Sequence, residues 1–281
     1  MPNGSTAVAA TGDRPDAKRD SYYWRLVATG LSFLVFGIGQ LVLGLLIFPI
    51  VRLLPGDTTT DNARARALLR RTFRLFIEFM RCTGVLTYDF GGVARLGKPG
   101  QLILANHPSL IDVVFLLGFT PSAGCVVKVE LWSNLFTRFA VASAGYVSNS
   151  PTDLMIEGAA AALAGGQPLV MFPEGTRTRP GEPLHFHRGA ASVALSAATS
   201  VTPVYIDVNP TTLTKAEPWY RIPARRPHFC LRVGADIDME SFRRMASPPA
   251  GSRAFNSLLL DVFFRELKLA PKDERGPPTE I

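Results

Sequence analysis

"LILANHPSLIDVV", residues 102–114, is the stretch from which the rest of the chain can be read. Leu102–Ala105 is apolar and short, which suits a buried strand. Asn106-His107-Pro108 then breaks the apolar run, and Pro108 suits the first turn of a helix over Pro108–Phe119. Inside that helix stands a lone carboxylate, Asp112. On one continuous helix His107 and Asp112 would lie about 140° apart and never meet. A turn at His107 with the helix beginning after it brings Asp112 round to face the ring. A carboxylate there holds one ring nitrogen as a donor and leaves the other as a base. The position also fits, because α/β sheets place ligands beyond the carboxyl ends of their strands. No serine or cysteine on a nucleophile elbow accompanies the pair. The hydroxyl to be activated therefore has to arrive with a substrate.

A second strand ends the same way, in "VMFPEGTRT", residues 170–178. Gly175 permits unusual torsions and close backbone approach. Thr176 and Arg177 supply donors suited to a phosphate, with Arg177 able to make a forked contact. Glu174 can accept from its own loop or from an acceptor hydroxyl. The bland alternative is a structural turn held by an internal Glu–Arg pair.

Around these two stretches, strands and helices alternate. Cys125–Val129 is strand-like, Leu131–Ala142 helical, and Gly145–Val147 opens another short strand. Thr152 or Asp153 caps a helix that ends at Gly165-Gly166. Strands follow at Pro168–Phe172, Val201–Val208 and Phe229–Val233, with helices at Gly189–Thr199 and Ser252–Leu269. The pattern predicts an α/β fold with a mixed, partly parallel central sheet flanked by helices. His185-Phe186-His187 alternates with a spacing open to metal ligation, but no cysteine or acidic cluster supports it, and structural histidines are preferred. The basic loop "RIPARRPHF", residues 221–229, fits solvent or lipid headgroups better than nucleic acid.

The amino-terminal part is different. Residues 1–20 are polar and read as disordered. From Leu26 to Val51 there is no charge over 26 residues. As a helix this is roughly 39 Å long, enough to cross a hydrocarbon core of about 30 Å. Gly30, Gly37, Gly39, Gly44 and Pro49 leave a bent, re-entrant hairpin as the rival to a straight span, and a buried core helix as a third reading. Asp61 to Cys82 reads as an amphipathic helix capped by Asp61 or Asn62. Leu69, Phe73, Phe76 and Met80 share one face; Arg66, Arg70, Arg71, Arg74 and Arg81 fall on the other. Such a helix suits an anionic bilayer surface, a domain core with a solvated basic back, or both along its length. The expected organisation is a polar amino-terminus (1–20), a membrane-anchoring segment with the basic helix (21–82), an α/β domain (83–270) and a loose tail (271–281).

The chain has 281 residues, 47% of them hydrophobic, and a net charge of +7, so acidic small molecules, anionic membranes and nucleic acid all remain open on charge alone. Cys82, Cys125 and Cys230 are odd in number and far apart, which argues against a disulfide framework. The long apolar segment argues against a nucleic-acid binder.

Taken together, N-H-x-x-x-x-D followed by F-P-E-G-T-R resembles the glycerolipid (lysophospholipid) acyltransferase family, of the 1-acylglycerol-3-phosphate acyltransferase type. The resemblance runs from about Leu102 to Val208 and includes Lys128 in "VVKVEL", "FHRG" (residues 186–189) and "VTPVYI" with Pro203. It implies acyl transfer from acyl-CoA or acyl carrier protein to a hydroxyl of a membrane lipid, without an acyl-enzyme and without a cofactor. His107 would be the general base and Asp112 its orienter. Lys128, Glu174, Gly175, Thr176 and Arg177 would bind substrate. The implied setting is a membrane, with the catalytic domain on the cytoplasmic side where thioester donors are found. One departure concerns the acceptor. Where the family has a glycine-led strand ending in a phosphate-gripping arginine, this chain reads Gly145-Tyr146-Val147-Ser148-Asn149-Ser150-Pro151. Ser148 and Asn149 thus become candidates for selecting an acceptor without a phosphate, unless Arg188 or Arg179 fills the vacancy. The rival functions are an acyl thioesterase using the same pair to activate water, and a catalytically silent lipid-binding scaffold.

Overall fold

A computed structural model describes residues 21–245 and 247–268. The polar amino-terminus (1–20) and the tail (271–281) lie outside the described residues.

The sheet has seven strands: β1 (Thr87–Gly91), β2 (Gln101–Ala105), β3 (Gly124–Val127), β4 (Val147–Ser148), β5 (Leu169–Met171), β6 (Ser200–Asn209) and β7 (His228–Val233). Their spatial order is β1-β7-β6-β2-β5-β3-β4. All neighbours pair in parallel except β6 with β7. This is the mixed, partly parallel sheet expected from the alternation of elements. Strand β1 carries half-buried, mixed-polarity residues at the sheet edge, and no apolar run announces it.

The central strand β2 is buried at every position. Its pleat sends Ile103 and Ala105 to one face and Leu102 and Leu104 to the other, and each pair enters a separate core. A strand covered on both faces reads as a continuous apolar run, which is why Leu102–Ala105 lacks alternation. One face is covered by α3 (Thr58–Cys82), α4 (Asp112–Phe119) and α5 (Arg138–Ala144), reached after α1 (Tyr22–Val42) and α2 (Phe48–Arg52). The other is covered by α6 (Thr152–Ala164), α7 (Arg188–Ala197) and α9 (Pro248–Lys268), with the short α8 (Glu240–Arg243) preceding α9.

Several expected boundaries move. Helix α4 begins at Asp112, not Pro108, because residues 108–111 are spent in a turn whose backbone bonds to the 212–213 loop. The predicted helix Leu131–Ala142 is broken: a 3₁₀ turn covers Val129–Trp132 and α5 starts only at Arg138. Asp57, not Asp61 or Asn62, caps α3, with its carboxylate accepting from Thr60 N at 2.8 Å. Pro151 stands at the amino-terminal cap of α6 in place of Thr152 or Asp153.

The apolar amino-terminal segment does not double back on itself. Helices α1 and α2 join through a π turn at Leu43–Ile47, giving one continuous helix over Tyr22–Arg52. The hairpin forms one element later, with α3 running back along it. Trp24 Nε1 donates to Thr83 O at 2.9 Å at one end, and Arg64 Nη2 donates to Pro55 O at 2.7 Å at the other. Between them Phe36 stacks on Phe73 and meets Phe76 at a tilt. Gly44 allows the π turn to approach α5: a Cβ there would stand 2.6 Å from Phe139 Cβ. The basic side of α3 is not wholly solvated. Arg66 is buried, and its Nη1 donates to Ala144 O at 2.9 Å, closing the end of α5. The face of α3 bearing Leu69, Phe73, Ile77 and Met80 belongs to the domain core.

Candidate active site

Because β2, β5 and β3 are consecutive parallel neighbours, the loops leaving their carboxyl ends emerge side by side. Asn106–Ile111, Phe172–Thr178 and Lys128 thereby meet at one edge of the sheet, as open α/β sheets dictate.

Asn106 sets the first loop. It is buried, its Nδ2 donates to Ile206 O at 2.7 Å, and its Oδ1 accepts from Ile206 N at 2.8 Å. The side-chain amide thus continues the ladder between β2 and β6 by one rung and frees the backbone to turn at His107. Ser109 Oγ donates to Thr212 O at 3.0 Å and Leu110 N to Leu213 O at 3.1 Å, completing the turn.

The turn places His107 Nδ1 2.9 Å from Asp112 Oδ2. The same oxygen accepts from Ser109 N at 2.7 Å. Asp112 is fully buried, whereas the His107 side chain keeps 17% exposure. Burial pushes the Asp112 carboxyl up, opposed by the donors His107 and Ser109. With the carboxylate ionised, Nδ1 carries the hydrogen and Nε2 is the free base. The ring also stacks on Phe172 at 4.1 Å and 22°, so its plane is held by packing as well as by charge.

The second loop supports the first. His107 N donates to Glu174 Oε1 at 2.8 Å, Thr178 Oγ1 donates to Glu174 Oε2, and Thr178 N donates to His107 O at 3.1 Å. Glu174 is 4% exposed, with its carboxyl pushed up by burial. Both its oxygens bind protein, so its place is that of a strut under the His107 backbone, although it still borders the cavity. Gly175 has φ +65°, a left-handed conformation that suits glycine. The internal Glu–Arg pair does not form. Arg177 Nη1 instead donates to Leu213 O and Thr214 O at 2.9 and 3.0 Å.

These residues open onto a cavity of about 770 Å³. Its polar wall includes His107, Lys128, Asn149, Thr176, Arg177 and Arg188; its apolar wall includes Leu110, Val113, Val126, Met155, Met171 and Phe172. Every catalytic and substrate-binding residue read from the sequence lies here except Asp112, which stands behind His107. Asn149 reaches the cavity, but its Oδ1 is taken by Val129 N at 3.1 Å. Ser148 Oγ is turned to its own loop, donating to Ser150 O at 3.0 Å. Asn106, Phe172 and Thr178 stood inside the two motifs with no role assigned, and His187, read as a structural histidine, lines the cavity. The roles of Asn106, Phe172 and Thr178 depend on a neighbouring strand or loop, so their presence within the two motifs was the one hint the sequence held.

Residues 89–207 match the family model described as Acyltransferase. That stretch contains both motifs and every residue named in the cavity wall. The family model and the curated relatives are acyltransferases, in agreement with the resemblance read from the two motifs. The chain is 28% identical over 184 residues to a 1-acyl-sn-glycerol-3-phosphate acyltransferase of Pseudomonas aeruginosa, an alignment covering 63% of this chain and 70% of the relative. It is 30% identical over 154 residues to the enzyme of the same name from Helicobacter pylori, covering 52% of this chain and 63% of that one. The fold is shared with the crystal structure of the 1-acyl-sn-glycerophosphate acyltransferase of Thermotoga maritima, with a TM-score of 0.66 at 18% identity, covering 89% of this chain and 98% of that chain.

Proposed function

We propose that this acyltransferase is membrane-associated and moves a fatty acyl group from an acyl-CoA or acyl carrier protein thioester to the free hydroxyl of a 1-acylglycerol-3-phosphate type acceptor. The observation that carries the reading is the 2.9 Å contact between His107 Nδ1 and the buried Asp112 at the cavity wall. His107 Nε2 takes the proton of the acceptor hydroxyl as its oxygen attacks the thioester carbonyl. The tetrahedral adduct collapses, the carbon–sulfur bond breaks, and the proton passes to the departing thiolate. In this reading the acceptor hydroxyl attacks the thioester directly and no acyl-enzyme forms.

The membrane setting is supported by the helix over Tyr22–Arg52, whose most apolar window is only 22% buried. Its exposed side presents Val27, Leu31, Leu34, Ile38, Leu45, Leu46 and Ile50. Exposed apolar residues continue through Phe136, Leu135, Trp132 and Val129 to Lys128 at the cavity. An acyl lipid can therefore pass from a bilayer to the site along apolar surface. With the acyl-CoA or acyl carrier protein donor proposed above, the catalytic domain faces the cytoplasm, where such thioesters are made.

The test is to incubate purified protein in vesicles with acyl-CoA and 1-acylglycerol-3-phosphate and to identify products by mass spectrometry. The expected product is the diacyl lipid, lost in His107→Ala. Free fatty acid without acylated lipid would point to a thioesterase instead and overturn the reading.

A further inference from the structure

Three cations line the cavity, Lys128, Arg177 and Arg188. Two have partners. Lys128 Nζ stands 3.4 Å from Thr176 Oγ1, and Arg177 Nη1 is bonded to two carbonyls. Arg188 is exposed, and among the described residues its side chain has no hydrogen bond or ion pair. It opens α7, whose next residues, Gly189 and Ala190, belong to the same wall, so its backbone position is set by a packed helix. The carboxylate in that wall, Glu174, has both oxygens bonded elsewhere and does not neutralise it. Arg179, the other arginine nearby, stands 3.7 Å from Glu182 and does not line the cavity. The 148–149 corner, where the cation of the family is missing, presents an amide and a hydroxyl already committed to the protein.

We propose that Arg188 grips the phosphate monoester of the acceptor, supplying from α7 the charge that the loop after β4 lacks. This rests on the acceptor class proposed above and names the residue that selects it. A phosphate monoester near neutral pH carries between one and two negative charges, and a guanidinium can bind two of its oxygens at once. The missing cation then does not imply a phosphate-free acceptor.

The experiment compares kcat/KM for 1-acylglycerol-3-phosphate and for a neutral monoacylglycerol, each with acyl-CoA as donor, in the wild type and in Arg188→Ala, Arg188→Lys and Arg179→Ala. Loss of one charge-assisted contact is expected to lower the phosphate-to-neutral ratio about tenfold to a hundredfold in Arg188→Ala, mainly through KM for the phosphate lipid. Arg188→Lys should retain part of the ratio, and Arg179→Ala all of it. An unchanged ratio in Arg188→Ala overturns the proposal. So does a rise in KM confined to acyl-CoA, whose own phosphates offer the same chemistry. If the wild type acylates no phosphate-bearing acceptor, the acceptor class itself falls, and that result is read before any variant is compared.

Discussion

At the scale of single residues, the site separates the base from the groups that hold it. His107→Ala is expected to lower the rate about 10²–10⁴-fold while the protein still melts cooperatively; near-wild-type turnover in a folded variant would exclude the general-base role. Asp112→Asn should lose somewhat less, because the ring remains but in a poorer tautomer. The same change should be felt in stability with a defined sign. Burial raises the Asp112 carboxyl above its unfolded value. Between the two values the native state holds a proton that the unfolded state has released, so this carboxyl's contribution to stability is full below the ordinary carboxylate range. It falls as pH climbs through the raised native value. Melting temperatures of wild type and Asp112→Asn should therefore diverge in the variant's favour as pH rises through that window, and a difference that is flat with pH would contradict the assignment. Glu174→Ala strips acceptors from the buried His107 N–H and from Thr178. It should destabilise the protein by about 1–3 kcal/mol and lower kcat more than it raises KM; a variant altered only in KM would make Glu174 a substrate ligand after all.

At the scale of elements, the amino-terminal helix is fixed to the domain at a few close approaches. The π turn touches α5 where Gly44 meets Phe139, and a Cβ built there stands 2.6–2.7 Å from three Phe139 atoms. Gly39, five residues earlier on the same helix, has nothing within 4 Å. Gly44→Val should cost about 1–3 kcal/mol through overpacking, whereas Gly39→Val should leave the melting temperature unchanged or slightly raised. Equal effects from both would show that the helix does not pack on α5 as described. Arg25 belongs to the same attachment. It is buried in the first turn of α1, with Nη2 donating to Ala224 O at 2.5 Å and Nη1 to Pro223 O at 3.0 Å. The basic, proline-broken stretch read from the sequence as a headgroup or solvent loop thus also serves as a cradle for that arginine.

For the whole molecule, the consequence is a catalytic edge and an apolar helix face joined by packing and hydrogen bonds. If the face is what meets the bilayer, Leu34→Asp together with Leu46→Asp should release the protein from anionic vesicles in a flotation assay. Both side chains are more than half exposed, at 57% and 58%, so the fold should survive. Activity on lipid presented in vesicles should fall with binding, while activity on detergent-dispersed acceptor should be retained. Full vesicle binding by the double variant would move the attachment elsewhere, for instance to the aromatic and basic surface around Trp219, Tyr220 and Arg221.

Much of this was legible in the chain before any fold was built. Local chemistry settles what short stretches do: an apolar run without alternation is a strand covered on both faces, a proline and a polar trio end it, and a histidine five residues before a lone buried carboxylate can pair with it once a turn intervenes. The alternation of elements, and the two polar loops that end β2 and β5, follow from the same local rules. What local rules cannot supply is adjacency. Strand β1 was missed because its place at the edge, beside β7, leaves it half-buried with no apolar signature. Arg66 looked like part of a basic surface and is buried, because the carbonyl it serves lies in α5, 78 residues away. Glu174 was read as accepting from its own loop or from an acceptor hydroxyl; the Thr178 contact fits the first, and the donor 67 residues earlier, His107 N, could only be found in the fold. The vacancy after β4 could be seen in the sequence, but Arg188 and Arg179 could not be told apart. Only strand order and helix packing place one of them in the cavity wall and leave the other outside it, since hydrogen bonds and burial between distant segments depend on where the chain returns.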